Sequence, residues 1–119
     1  MTTLKQVQEA LGLELASSPS GLEREVVGGY ASDLLSCVVS RARADYVWVT
    51  LQSHINVVAV ASLLGLAGVI MTEGQRPDPD ALERAEKEGV TLLLSEQTTF
   101  EVVGELTALG IQGQAAVKD

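Results

Sequence analysis

His54 is the one histidine of this chain, and it stands in a dense polar group: Thr50, Gln52, Ser53, His54 and Asn56 all fall within residues 50–56. An imidazole placed there has three uses. As a general base it needs a carboxylate to orient it and a hydroxyl or water to activate. Asp33, Glu73 and Glu96 could supply that carboxylate, but only if the fold brings them close. As a ligand contact it offers one donor and one acceptor when neutral. As a structural group it satisfies its own loop. All three readings stay open at this stage.

Anion binding is a second kind of chemistry the pattern allows. Asn56 is suited to cap the helix that follows, and a capped helix N-terminus still presents backbone N–H groups that can receive a phosphate or carboxylate. Thr98 or Thr99 can open another helix in the same way. The phosphate-binding fingerprints themselves are missing: the sequence contains neither G-x-G-x-x-G nor G-x-x-x-x-G-K-[ST], which removes dinucleotide folds and P-loop kinases. Cys37 is the sole cysteine, so no internal disulfide forms and no Cys-His metal set exists. It lies among apolar helical positions, where packing is the ordinary role of a thiol. Asp78, Asp80, Glu83, Glu86 and Glu88 read as a solvated helical face, because helix geometry does not give the tight loop of an oxygen-ligand cation site. No metal and no cofactor is expected.

These groups need elements to hold them. Residues 45–51 form a strand-like apolar run that delivers the polar group to a loop, and residues 57–62 continue as a buried helix. Trp48 alternates with Tyr46 and Thr50 on one side of that strand, which suits a core position better than a ring for stacking bases. A short helix starts at residue 3, where Thr3 and Gln6 can form a capping box and Gly12 suits the position just past its end. Residues 13–16 are a short strand candidate, 17–21 a turn cluster, and 24–30 a second strand ending in Gly28, Gly29 and Tyr30. Ser32 or Asp33 can cap a helix running to about residue 40. Residues 69–71 form a buried strand, Asp78 with Pro79 starts a helix supported by Asp80/Arg84 and Glu83/Lys87, residues 90–94 form a last strand, and 99–109 a last helix. Residues 111–119 have no periodicity and read as a tail beyond a domain of residues 1–110.

The second half thus alternates strands that are near-continuous apolar runs with helices. That predicts an α/β domain with a largely parallel sheet and helices on both faces. Right-handed crossovers then set the loops at residues 50–56, 72–75 and 95–98 along one edge, the carboxyl end of the sheet. The candidate ligand site is therefore Thr50, Gln52, Ser53, His54 and Asn56, with Thr72, Glu73, Ser95 and Thr98, joined by Gly28, Gly29, Tyr30, Ser32 and Asp33 if the second strand lies alongside. No catalytic residue is assigned.

Bulk properties narrow the partners. A length of 119 residues fits one domain, and 46% hydrophobic with 20% charged residues is a globular composition. The net charge of −8 would repel a phosphate backbone, and the cations are scattered, Arg41 and Arg43 being the closest approach to a basic cluster. Nucleic acid is not an expected partner. No apolar run approaches the roughly 20 residues that span a bilayer, and residues 1–5 lack the features of a signal peptide. A soluble cytoplasmic protein without membrane association is expected. The helix around residues 32–40 carries Leu34, Leu35, Cys37, Val38 and Val39 around much of its circumference. Such a helix needs cover on two sides, and a second copy of the chain, using residues 30–39, would supply it.

Three separated segments also agree in order with a known family. Glu23 and Arg24 with Val27, Gly28, Gly29 and Tyr30 two residues on, then Ser32, Asp33, Leu34, Leu35 and Ser36, then Thr50, Gln52, His54, Asn56, Ala59, Val60 and Ala61 resemble the DRTGG domain family over residues 3 to about 110. Glu23 stands where the family name has aspartate, and Val27 where it has threonine, so any hydrogen bond of that hydroxyl is missing here. The family resembles the amino-terminal region of HPr kinase and a part of Mur ligases. It also occurs beside CBS domains in some inorganic pyrophosphatases, in some phosphotransacetylases, and as free-standing short proteins, some associated with hydrogenase systems. The resemblance implies an α/β regulatory or dimerisation module, often without catalytic activity of its own. Taken with the candidate ligand site, the expectation is a homodimeric module that senses a small anionic ligand or nucleotide and acts on a separate metabolic enzyme, a hydrogenase-associated or other redox system among them. A purely structural interaction scaffold and a small enzyme using His54 are the alternatives.

Overall fold

The Thr3 hydroxyl accepts the Gln6 N–H at 3.2 Å while Gln6 Oε1 accepts the Thr3 N–H at 2.8 Å, and this reciprocal cap starts the first helix, α1 (Leu4–Leu11). Gly12 ends it with φ +65°, a left-handed conformation that glycine adopts at little cost. These details come from a computed structural model of the protein that describes residues 1–113.

The remaining elements follow in chain order. Ahead of α1 lies β1 (Thr2–Thr3), and after it come β2 (Glu14–Ser17), a 3₁₀ turn (Pro19–Glu23), β3 (Glu25–Val26), β4 (Gly28–Ala31), α2 (Leu35–Arg41), β5 (Tyr46–Thr50), α3 (Ile55–Leu64), β6 (Gly68–Met71), α4 (Pro79–Glu88), β7 (Leu92–Leu94) and α5 (Thr99–Ala108). β4, β5, β6 and β7 are parallel neighbours in that order, and β2 adds antiparallel to the far side of β7. The fold is the expected one, a mostly parallel five-stranded sheet with helices on both faces. β1 and β3 form a separate two-stranded antiparallel ladder.

Strand alternation divides the core. Tyr46, Trp48, Val69, Met71, Leu92 and Leu94 face Val38 of α2, Val57, Val58 and Ala61 of α3, and Ala81 and Ala85 of α4. Val47, Val49, Ile70 and Leu93 face the opposite way, onto Leu4 and Val7 of α1 and Val102 and Leu106 of α5. Three successive βα units with the same hand put α2, α3 and α4 on one face, leaving the other to the chain's two ends. Trp48 is fully buried, as its alternation predicts, and its indole N–H donates to the Ser32 carbonyl at 2.8 Å.

Two readings need correction. Residues 24–30 are not one strand. The Val27 N–H turns to the Asp45 carbonyl at 3.0 Å, whereas the Gly29 N–H points away from the sheet to the Gln112 carbonyl at 2.9 Å. The alternation slips between them, so β3 pairs with β1 and β4 with β5. Nor is residue 111 free. Ile111 is buried in the core cluster of α1 and α5, and its N–H reaches the Leu106 carbonyl at 3.1 Å. The rest of the expected tail, from residue 114, lies outside the described residues.

Candidate functional site

The carboxyl ends of β4, β5, β6 and β7 open on one edge, and the loops there are tied to one another. Thr72 donates its N–H to the Thr50 carbonyl at 3.1 Å, Glu73 to Gln97 at 2.8 Å, Gly74 to Ser95 at 3.0 Å and Asp78 to Ser53 at 3.0 Å. The Thr72 and Thr99 hydroxyls share a hydrogen bond of 2.6 Å, and Ser95 Oγ accepts the Gln97 N–H at 3.0 Å. Thr50, Gln52, Ser53, Thr72, Glu73, Ser95 and Thr98 thus stand along a common rim. Ser32 and Asp33, at the end of β4, join it. Thr50 Oγ1 donates to Asp33 Oδ1 at 2.7 Å, the Leu51 N–H donates to the same oxygen at 2.7 Å, and Gln52 Nε2 donates to the Asp33 carbonyl at 2.8 Å.

Several expected roles change. Neither Ser32 nor Asp33 caps α2. Leu34 occupies the cap position with no side-chain bond, because Ser32 Oγ accepts the Leu34 N–H at 3.1 Å and the Asp33 carboxylate is committed to Thr50 and Leu51. Asn56 does not cap α3. The Asp78–Ser53 bond holds the preceding loop, the helix begins at Ile55, His54 takes the cap position, and Asn56 is an exposed residue of the first turn. Asp78 stands at the cap of α4 but makes no cap bond. Its carboxylate accepts instead from His54 Nδ1 at 3.1 Å. Arg84 pairs forward with Glu88 at 2.8 Å rather than back with Asp80. Thr98 does cap α5, accepting the Glu101 N–H at 3.2 Å.

Gly28 and Gly29 lie away from the rim, toward the amino end of β4. Gly28 pairs with Tyr46 in register, and a Cβ built there would sit 2.6 Å from the Tyr46 ring, so close packing is its role. Tyr30 is half-buried and paired with Trp48. It lines two hollows that sequence reasoning did not find. One, of about 290 Å³, is apolar and runs between Ala31, Val49, Val103, Leu106 and Ile111. The other, of about 300 Å³, is polar and is lined by Tyr30, Ser40, Arg41, Arg43, Tyr46 and Gly113.

The chemistry of the rim is conditioned by its acids. The Thr99 N–H at the start of α5 already donates to Glu73 Oε2 at 3.1 Å, so a carboxylate of the chain itself occupies that anion-binding position. Farther along the edge, Arg76 on the β6–α4 loop binds Glu14 of β2 at 2.7 Å and holds the Glu14 carboxyl below the usual carboxylate range, chiefly through that hydrogen bond. A recess of about 190 Å³ lies beside this pair, lined also by Gly74, Ser95 and Glu96. His54 is two-thirds exposed and its imidazole partner is Asp78. Among the described residues no buried side-chain polar atom lacks a partner, and no group of three or more metal-ligating side chains occurs. No helix among them is long and apolar enough to cross a membrane.

Comparison with known proteins places this geometry. No curated protein matches the chain. Among solved structures, the CBS and DRTGG domains of the regulatory region of Clostridium perfringens pyrophosphatase, complexed with the activator diadenosine tetraphosphate, superpose with a TM-score of 0.71 at 16% identity. The match covers 88% of this chain and 46% of that one, so the present chain spans less than half of the matched structure. The DRTGG domain family model matches residues 30–109, from Tyr30 in β4 to the end of α5, and leaves out the segment from Glu23 to Gly29. With two thirds of the sequence inside that match and the fold in agreement, the chain belongs to the DRTGG domain family.

Proposed function

We propose that the chain is a non-catalytic regulatory module that senses a small ligand, pairs with a second copy of itself and acts on a separate metabolic enzyme. The observation that carries this reading is the linkage between the rim loop and the approach to α2. Asp33 and Ser32 are held by Thr50, Leu51, Gln52 and Trp48 through four hydrogen bonds of 2.7–2.8 Å. One residue farther on begins the apolar surface of α2, where Leu34 is 60% and Val39 44% exposed. A ligand that rearranges residues 50–54 must move Asp33, and Asp33 positions the helix that would meet the second copy. Binding energy is thereby converted into a preference for one packing over another, which a partner enzyme can read. Family membership supports a regulatory role, and the crystallised pyrophosphatase region, with its dinucleotide activator, supports a phosphorylated small molecule as the class of signal. A hydrogenase or other redox enzyme is the partner the resemblance offers.

A second reading, an interaction scaffold without a ligand, draws support from the self-satisfied rim, where Glu73 already fills the amino end of α5. Thermal melts against nucleotides, acyl phosphates and small carboxylates separate the two. A ligand at 100-fold its dissociation constant adds roughly 2.7 kcal/mol, a shift of several degrees. Repeating the positive melt with Asp33→Asn, and measuring sedimentation with and without ligand, tests the linkage: the sensor reading requires ligand to change the self-association of the native chain and to change that of the variant less. No shift with any ligand leaves the scaffold.

A further inference from the structure

The chain has five arginines, and the structure divides them unevenly. Arg24 pairs with Asp45, Arg76 with Glu14 and Arg84 with Glu88. Arg41 and Arg43 make no ion pair among the described residues, although acids outnumber cations two to one in this sequence. Both unpaired guanidinium groups line the same recess of about 300 Å³, with both tyrosines of the chain, Tyr30 and Tyr46, in its wall.

We infer that this recess binds the phosphate group of a small phosphorylated molecule. Two guanidinium groups offer paired N–H donors whose planar geometry matches phosphate oxygens, and arginine stays charged at any physiological pH. The Tyr30 hydroxyl, which makes no hydrogen bond among the described residues, is a further donor at the edge of a half-buried ring. Ser40 contributes as a wall, since its hydroxyl donates to the Cys37 carbonyl at 3.2 Å. A volume of about 300 Å³ is at the lower end of small-molecule sites, roughly 300–1,000 Å³. It therefore has room for the organic group that carries the phosphate. Among the described residues no carboxylate takes up either arginine, although the chain is acidic, and this distinguishes the recess from an ordinary solvated surface.

This site goes beyond the rim and does not depend on it. Tyr46 opens β5 and Thr50 closes it, a separation of about 13 Å at the usual strand rise of about 3.3 Å per residue. Arg41 ends α2, the helix on which the regulatory proposal rests, so occupancy here would act on the same element from its other end.

Titration calorimetry of the full chain with inorganic phosphate, adenosine 5′-monophosphate and adenosine tests the assignment. Phosphate and the monophosphate should bind, adenosine should not, and affinity should fall as salt rises. Arg41→Gln with Arg43→Gln should weaken phosphate and monophosphate binding by roughly tenfold or more, the usual consequence of losing charge-assisted hydrogen bonds. Both side chains are exposed, so the double variant should keep its fold, checked by an unchanged melt. Arg84→Gln on α4, outside both the rim and the recess, should leave this binding intact, which separates a local loss at Arg41 and Arg43 from a change in overall charge. Equal binding of adenosine and its monophosphate, binding unaffected by the arginine changes, or no binding of either phosphate probe at millimolar concentration would each overturn the inference.

Discussion

Thr50 closes β5 with a hydroxyl that is buried and bonded at 2.7 Å to the carboxylate of Asp33, a residue that emerges from the neighbouring edge strand. The bond is not incidental to the sheet. Thr50 Oγ1 also accepts the Gln52 N–H at 3.0 Å, and Asp33 Oδ1 also accepts the Leu51 N–H at 2.7 Å, so the two side chains together shape the turn that begins the rim. Asp33→Ala removes the acceptor and leaves the Thr50 hydroxyl and the Leu51 N–H without their partner. A lost charge-assisted bond to a buried group costs about 1–3 kcal/mol. Asp33→Asn keeps an acceptor oxygen and should recover part of it. Urea denaturation of the two variants gives the ordering native, then asparagine, then alanine; equal stability of all three would mean the turn is held by its backbone alone.

Gly28 permits a contact no other residue could share. The ring of Tyr46 lies where a Cβ would project, with Cε1 at 2.6 Å and Cζ at 2.8 Å, and that ring is itself buried among the residues under α2. Gly28→Ala must push the ring or the edge strand aside, and overpacking of this kind costs about 1–3 kcal/mol. Because Tyr46 also lines the arginine recess, the same substitution should weaken phosphate binding there. Gly104→Ala, with open space around it in α5, is the matched control and should be neutral or slightly stabilising.

Local signals account for much of what the sequence made legible. The Thr3 and Gln6 pair, Pro79 at the first position of α4, and Thr98 before α5 each state their helix start in a few adjacent residues, and all three stand as read. The apolar runs around Trp48, Ile70 and Leu93 likewise announce strands buried on both faces. Where the reading slipped, a distant partner decided the outcome. Asn56 has the chemistry of a cap, but the Asp78 N–H fixes Ser53 and sets the helix start before it. Asp33 has the same chemistry and is drawn instead to Thr50, 17 positions away. Ile111 is a lone apolar residue with no period around it, so only tertiary contact with α1 and α5 reveals it as core. The recess of Arg41 and Arg43 is invisible for the same reason, since its other wall, Tyr30, arrives from a different strand.

The Glu14–Arg76 pair fastens the edge strand β2 to the β6–α4 loop and predicts a pH signature. The Arg76 hydrogen bond lowers the folded-state Glu14 pKa below its ordinary 4.5. A depressed carboxyl contributes stability above its unfolded pKa and loses it as pH falls through the folded value. Glu14→Gln should therefore be less stable than the native chain at pH 7 and converge with it in acid, below both values. The pair is solvent-exposed, so the difference should be small and should shrink in high salt. Urea denaturation at pH 7 and pH 3, at two salt concentrations, checks the sign.

The proposed self-association rests on the surface of α2. Val38 points into the core and is fully buried, whereas Leu34 and Val39 remain 60% and 44% exposed, with Leu35 and Cys37 partly so. Apolar residues on successive sides of so short a helix leave part of its circumference in water, a condition that a second copy meeting it across a two-fold axis would relieve. Leu34→Glu and Val39→Glu place like charges on both sides of that axis. They should shift sedimentation of a dimer at tens of micromolar toward the monomer while changing the monomer's stability little, since neither side chain is buried. The same chains should lose any effect of ligand on association, because the helix that transmits it would no longer face a partner. A native chain that sediments as a monomer at those concentrations would remove the second copy from the mechanism, and with it the route by which Asp33 could report the rim to another protein.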